Sequence, residues 1–172
     1  MVRKKVYLEL KQLSPSLDKM KSTTVCYIQQ DGKYLMIHRT KKENDENKDK
    51  WIGIGGKFED GESPFDCIRR EAKEETGLTL TSLHYRGIVT FASDEFESQH
   101  MHLFTSDAFC GTLNKECNEG ELAWIKKEEL LSLPMWEGDR IFHDLLDRGA
   151  PFFSLKLVYS GDKLVENTLD FA

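Results

Sequence analysis

Residues 55–78 read GGKFEDGESPFDCIRREAKEETGL, and this stretch decides the fold around it. Ser63 is a favoured N-cap, Pro64 suits the first helical position, and Asp66, three residues past the cap, completes a variant capping box. Gly77 stands where a helix ends on a residue free to turn left-handed. These signals predict a helix of about three turns over Pro64–Thr76. On it Phe65, Ile68 and Ala72 follow the i, i+3, i+7 spacing of a buried face. Glu71, Glu74 and Glu75 follow i, i+3, i+4 and share another face.

Like charges at that spacing destabilise an isolated helix by roughly 0.2–0.5 kcal/mol per pair. One reading is a solvated acidic face, partly offset by Arg70 and Lys73, with Arg70 and Glu74 as an i, i+4 ion pair. The preceding loop favours another. A hard divalent cation needs clustered carboxylate oxygens, and magnesium normally shares them with substrate phosphates. Gly55 and Gly56 let the backbone approach a metal or phosphate closely, and Lys57 adds a positive charge beside them. Loop, helix and carboxylates together describe a metal–diphosphate site.

Outward from this segment, the 172 residues fit one domain with a sizeable core, and 39% hydrophobic with 31% charged residues is a globular mix. Residues 1–21 read as an N-terminal extension in which Val6, Leu8 and Leu10 alternate as a short strand before Ser14-Pro15-Ser16 breaks the pattern; residues 22–172 read as the single domain. A hairpin is expected from strands at 24–28 and 34–37 turning at Asp31-Gly32. The mixed-charge loop 41–50 is expected to be mobile and near the surface. Strands are expected at 87–91, 100–109 and 122–125, short helices at 128–133 and 139–148, and a closing hairpin of 152–159 and 164–171 around Ser160-Gly161-Asp162. Ile141, Phe142, Leu145 and Leu146 form the apolar face of the last helix. Strands before and after a central helix suggest an α/β or α+β sandwich.

A net charge of −6 argues against a partner of duplex nucleic acid, yet allows a small anionic substrate where a bound metal reverses the local sign. Cys26, Cys67, Cys110 and Cys117 are too scattered for a zinc site and suggest a reducing compartment. No run suits a signal peptide or a membrane span, so a cytoplasmic location is expected.

The central segment meets the pattern G-x5-E-x7-R-E-U-x-E-E-x-G-U, U being aliphatic, at Gly56, Glu62, Arg70, Glu71, Ala72, Glu74, Glu75, Gly77 and Leu78. In this it resembles the Nudix hydrolases. The resemblance implies a mixed β-sheet sandwiched between α-helices and a magnesium site, with manganese as a substitute. It implies that Glu71, Glu74 and Glu75 hold the metal with the Gly56 carbonyl, that Arg70 orients the carboxylates and that Glu62 braces the loop. Water then attacks a phosphorus of the substrate's diphosphate bridge, with Glu71 the first choice of general base. Glu119, five residues before Trp124, is the candidate for a carboxylate from outside the motif that acts as further ligand or base. Glu121 competes with it, and either could be a turn residue.

From about Thr23 onward the chain also resembles the MutT-type 8-oxo-dGTP diphosphatases of bacteria. That resemblance implies a small nucleotide substrate whose base meets Trp136 by stacking and Asp139 by hydrogen bonding. Ile52 and Gly138 depart from the human member of the group, which has base-contacting polar residues there. Trp136 could instead be a core aromatic and Asp139 a helix N-cap. Arg39 is a candidate phosphate contact or an ordinary exposed arginine. His100 and His102 share a strand face but lack a third metal ligand, which favours a structural role. The expected activity is hydrolysis of a nucleoside triphosphate to the monophosphate and pyrophosphate, with oxidised guanine nucleotide favoured. The alternatives are another nucleoside diphosphate derivative (ADP-ribose, a dinucleoside polyphosphate, capped RNA) or a catalytically silent nucleotide-binding regulator.

Overall fold

The computed structural model describes residues 20–172; the strand expected around Val6–Leu10 lies outside them. β1 (Lys21–Gln30) and β2 (Lys33–His38) form the expected hairpin, with Asp31 and Gly32 at φ 50° and 72°. Positive φ at both positions matches the right-handed twist of the flanking strands. The two strands pair only near the turn, from Ile28 opposite Leu35 to Gln30 opposite Lys33. Beyond it they part, and β3 (Trp51–Ile52) pairs with the far end of β2. The next residues pair with β1: the Cys26 N–H donates to the Ile54 carbonyl at 2.6 Å and the Thr24 N–H to the Gly56 carbonyl at 2.8 Å.

The motif helix, α1 (Pro64–Thr76), has the ends its sequence predicts. The Ser63 hydroxyl accepts the Asp66 N–H at 3.2 Å, and the Asp66 carboxylate accepts the Ser63 N–H at 3.0 Å. Gly77, at φ 78°, donates its N–H to the Lys73 carbonyl at 2.9 Å. Then follow β4 (Thr79–Leu80), β5 (His84–Ser93), β6 (Gln99–Ser106), β7 (Phe109–Cys110) and β8 (Glu121–Lys126). A helix α2 (Asp139–Asp147) and the hairpin of β9 (Phe153–Ser160) and β10 (Lys163–Phe171) close the chain.

The main sheet runs β10-β9-β5-β6-β1-β2-β3, with β8 on the other edge of β2; β4 and β7 pair separately. β1 with β6 and β5 with β9 are parallel, the other pairs antiparallel. Residues 23–28 of β1 are all buried, as in a central strand covered on both faces. Val25 and Tyr27 pack with Phe142 and Leu145 of α2, while Cys26 and Ile28 pack with Ile68 and Ala72 of α1. This is the expected mixed sheet between helices.

Two expectations change. The strand expected over 100–109 ends at Ser106, because the Ser82 hydroxyl takes the Asp107 and Ala108 N–H groups at 3.0 Å and bends the chain toward β4. The helix expected at 128–133 is a 3-10 helix, Lys127–Ser132; Leu133 is extended, as a residue before proline favours. The loop 41–50 lies at the surface as expected, with residues 41–44, 48 and 49 exposed, and is bonded to the rest of the fold at Asp45. The Asp45 side chain is 6% exposed and ion-paired to Arg39 at 2.7 Å. The Lys48 and Lys50 N–H groups close turns on the Asp45 and Asn47 carbonyls at 3.0 and 2.9 Å.

His143 of α2 lies against Tyr27 and Tyr34 with both ring nitrogens buried and without a partner among the described residues. Burial, aided by Lys127 and Arg140, lowers its pKa to about 3. A histidine buried neutral stabilises the fold fully above its unfolded pKa of about 6.5, and that contribution falls as pH drops toward the folded value. His143→Leu is therefore expected to be more stable than the natural chain below pH 6.5, with an advantage that widens toward pH 5 in urea melts. Ser63→Ala is expected to lose about 1 kcal/mol and lower the midpoint of a circular-dichroism melt by about 2–4 °C.

Candidate active site

α1 and the loop before it deliver the motif's carboxylates to a cavity of about 980 Å³. Glu71 and Glu75 line it with Gly56, Lys57, Arg39, Glu119, Trp136 and Asp139. Gly55 and Gly56 are there for want of space. A Cβ on Gly55 would lie 2.0 Å from the Thr24 carbonyl oxygen, and one on Gly56 would lie 2.5 Å from the Glu71 carboxyl carbon. The Glu71 carboxylate thus occupies the space a side chain at position 56 would need. Glu75, 8% exposed, accepts the Gly55 N–H at 3.0 Å.

Arg70 is the hub of the loop. Its Nε and Nη2 donate to Glu62 at 2.6 and 2.9 Å, its Nη1 to Glu71 at 2.9 Å and Glu74 at 3.3 Å, and its Nη2 also to the Lys57 carbonyl at 3.0 Å. Glu62 also accepts the Glu59 N–H at 2.9 Å. These bonds, the arginine's first, lower the Glu62 pKa to about 2. A second arginine works across the cavity: Arg39, 13% exposed, donates to Asp45 and to Glu119, each at 2.7 Å. Lys42 holds the other Glu119 oxygen at 2.6 Å.

Two of the carboxylates that face the cavity, Glu75 and Glu71, ionise reluctantly. Burial raises the Glu75 pKa to about 8, with Glu71 and Glu119 adding repulsion against the bond from Gly55. Burial likewise raises Glu71, against the pull of Arg70. Among the described residues no three acidic, imidazole or thiol groups converge closely enough to grip a cation as they stand. Arg70 holds Glu71, and Arg39 with Lys42 holds Glu119. The donor set nevertheless fits a hard divalent ion. It is all oxygen, it is crowded and part-buried, and a cation would relieve the burial and repulsion that keep Glu75 protonated. The Gly56 carbonyl accepts the Thr24 N–H at 2.8 Å and, weakly, the Cys67 thiol at 3.7 Å, whose place a cation would take.

Not every expected residue reaches the cavity. Glu74 is 59% exposed, turned to Arg70 and absent from the lining. Glu121 opens β8 opposite His38 and stays outside it, whereas Glu119 lies within. Arg39 is not an ordinary exposed arginine. Asp139 is the first residue of α2 and caps nothing, since Gly138 holds the N-cap position without a side-chain bond. It is 8% exposed, and burial raises its pKa to about 7 against the fields of Arg140 and Lys50. Trp136 is 7% exposed and edge-packed on Phe91, Phe96 and Tyr159, and the Lys50 ammonium lies 4.3 Å from its ring centroid. His100 and His102 bond Thr90 and Tyr85 and do not line the cavity. Sequence reasoning missed Asp45, Asn47, Phe91 and Phe96, which do. The sign alternation of Arg39 and Asp45 was the available clue to the first.

Fold and site together define a nucleotide-hydrolase architecture of one known kind. The chain belongs to the Nudix family: residues 18–146 match the model of the NUDIX domain. It is 31% identical over 156 residues to the uncharacterized Nudix hydrolase YvcI of Bacillus subtilis, covering 88% of this chain and 95% of that protein. It is 32% identical over 122 residues to the oxidized purine nucleoside triphosphate hydrolase of Danio rerio, covering 70% and 78%. Among solved structures, the MutT protein of Bacillus halodurans superposes with a TM-score of 0.78 at 28% identity, over 88% of this chain and 98% of that one. Nudix hydrolases generally depend on a divalent metal and act on small nucleotide substrates. No helix among the described residues is long and apolar enough to cross a membrane.

Gly56→Ala tests the crowding at Glu71. It is expected to leave the circular-dichroism spectrum intact while weakening magnesium binding, followed by titration calorimetry, by about tenfold or more.

Proposed function

We propose that this protein hydrolyses a nucleoside triphosphate to the monophosphate and pyrophosphate with magnesium as cofactor, and that oxidised purine nucleotides such as 8-oxo-dGTP are its preferred substrates. One observation carries the reading: a single cavity is lined both by Glu71, Glu75 and Glu119 and by the aromatic and acidic residues Phe91, Phe96, Trp136 and Asp139. The first set suits a metal-bound polyphosphate and the second a planar base with polar edges. Glu71, Glu75, Glu119 and the Gly56 carbonyl would hold the ion, manganese serving as a substitute. Bound there, it supplies neutralisation of the charge on the bridging and leaving oxygens of the diphosphate.

The chain's own groups do the rest. Glu71, its carboxyl raised by burial, accepts the proton of the attacking water. Arg70 fixes the angle of that carboxylate and Glu62 fixes Arg70, so both are positioning residues. Lys57 meets phosphate oxygens, and Arg39, now paired with Glu119 and Asp45, would become available to them if Glu119 held a cation. Asp139, with a pKa near 7, accepts from the base when ionised and donates to it when protonated. For Trp136 to stack on the base the Lys50 head must move aside, so its contribution is as a wall of the base site. The similarity to a hydrolase of oxidized purine nucleoside triphosphates supports the choice of base. The four free thiols suit a reducing compartment such as the cytoplasm, where such an enzyme would clear the precursors of DNA repair's substrates.

Turnover of 8-oxo-dGTP, dGTP, CTP and ADP-ribose at equal concentration tests this. The highest kcat/KM is expected for 8-oxo-dGTP, with pyrophosphate as co-product. Preference for ADP-ribose would sink the substrate assignment. Glu71→Gln is expected to lower kcat by about 10²–10⁴-fold, and Glu74→Gln by far less, because its carboxylate lies off the cavity. Full activity of Glu71→Gln would overturn the catalytic assignment.

A further inference from the structure

The loop 41–50 reaches the aromatic wall of the cavity through two side chains: the Lys50 ammonium lies over the face of the Trp136 ring, and Asn47 meets its edge. The Trp136 indole N–H donates to the Asn47 Oδ1 at 2.8 Å. An indole nitrogen can only donate, so this bond settles which end of the Asn47 amide is the oxygen. The backbone of Asn47 is fixed as well: its N–H donates to the Asp45 Oδ1 at 2.9 Å and its carbonyl accepts the Lys50 N–H at 2.9 Å. Asp45 is in turn held by Arg39. What remains is the Nδ2 amino group. It has no partner among the described residues, it is not sealed away from solvent, and Asn47 lines the cavity. Two donors of fixed direction thus stand beside Trp136, away from the carboxylates of α1 to which Asn47 makes no bond.

The geometry points to Asn47 as a base-reading residue, its oriented Nδ2 offering hydrogen bonds to a carbonyl or ring-nitrogen acceptor on the edge of the nucleotide base. This rests on the reading of the cavity as a nucleotide site and adds the group that recognises the base there. A neutral donor next to an aromatic wall suits a neutral, planar, acceptor-bearing ring better than a phosphate. Trp136 becomes a positioning residue whose N–H is spent on Asn47.

A purely structural Asn47, serving only to pin the loop, predicts different behaviour. Asn47→Asp keeps an oxygen for the indole and removes the two donors; Asn47→Leu removes both. The affinities of dGMP and of deoxyribose 5-phosphate are measured by titration calorimetry in magnesium buffer, and their ratio is read so that the added charge of the aspartate cancels. The natural chain is expected to bind dGMP more tightly than the abasic phosphate. Both variants are expected to shrink that ratio about five- to tenfold, while only Asn47→Leu lowers the melting temperature. An unchanged ratio in both variants, or a ratio rescued in Asn47→Asp, overturns the inference and leaves Asn47 a loop pin. A natural chain that binds the two ligands equally also overturns it, while pyrophosphate release from 8-oxo-dGTP still judges the proposed activity separately.

Discussion

The structure depends on the parting of β1 from β2. The two strands share three residue pairs and then diverge, which leaves the backbone of β1 from Thr23 to Cys26 without a partner on that side. Buried backbone groups must be satisfied, and the chain satisfies them with its own residues 54–57. That requirement places the glycine loop in the middle of the sheet rather than above it. It brings Gly55 within contact of the Thr24 carbonyl and sets Gly56 against Glu71. The carboxylates of α1 are consequently held at the mouth of a gap between strands, with a rigid sheet behind them.

The same placement explains the electrostatics. Burying Glu75 and Glu71 costs free energy that their partners among the described residues offset only in part: Glu75 receives one backbone donor, and Arg70 is shared among four glutamates, Glu59, Glu62, Glu71 and Glu74. Charges brought together under such conditions are tolerated where a ligand later compensates them. Arg70 and Arg39 act as counterions, the first bonded to Glu62 of the loop, the second divided between Glu119 and Asp45.

Most of the fold was legible because its signals are local. The cap residues Ser63, Asp66 and Gly77 bound α1, and Asp31-Gly32 identified the first hairpin. The spacing of Glu71 and Glu75 announced the acidic half of the cavity, but could not show that Glu74, one residue earlier, faces Arg70 and solvent instead. Helical spacing allows three glutamates to share a face roughly 100° wide, and only packing decides which of them look inward. The other half was harder to read because it is built from distant residues. Asn47 meets Trp136 across 89 positions of sequence, and Asp45 owes its burial to Arg39 rather than to any apolar pattern of its own. A polar loop reads as solvated until its partners are known.

The two packing layers on either side of the sheet have separate memberships. Ile68, Ala72 and Leu78 stabilise α1 from one face, and Phe91, Trp136 and Phe142 build the aromatic wall on the other. Side chains of alternate residues in β1 serve each layer without touching the other. The helix that carries the carboxylates and the aromatic wall of the cavity are therefore packed by different residues of the same strand.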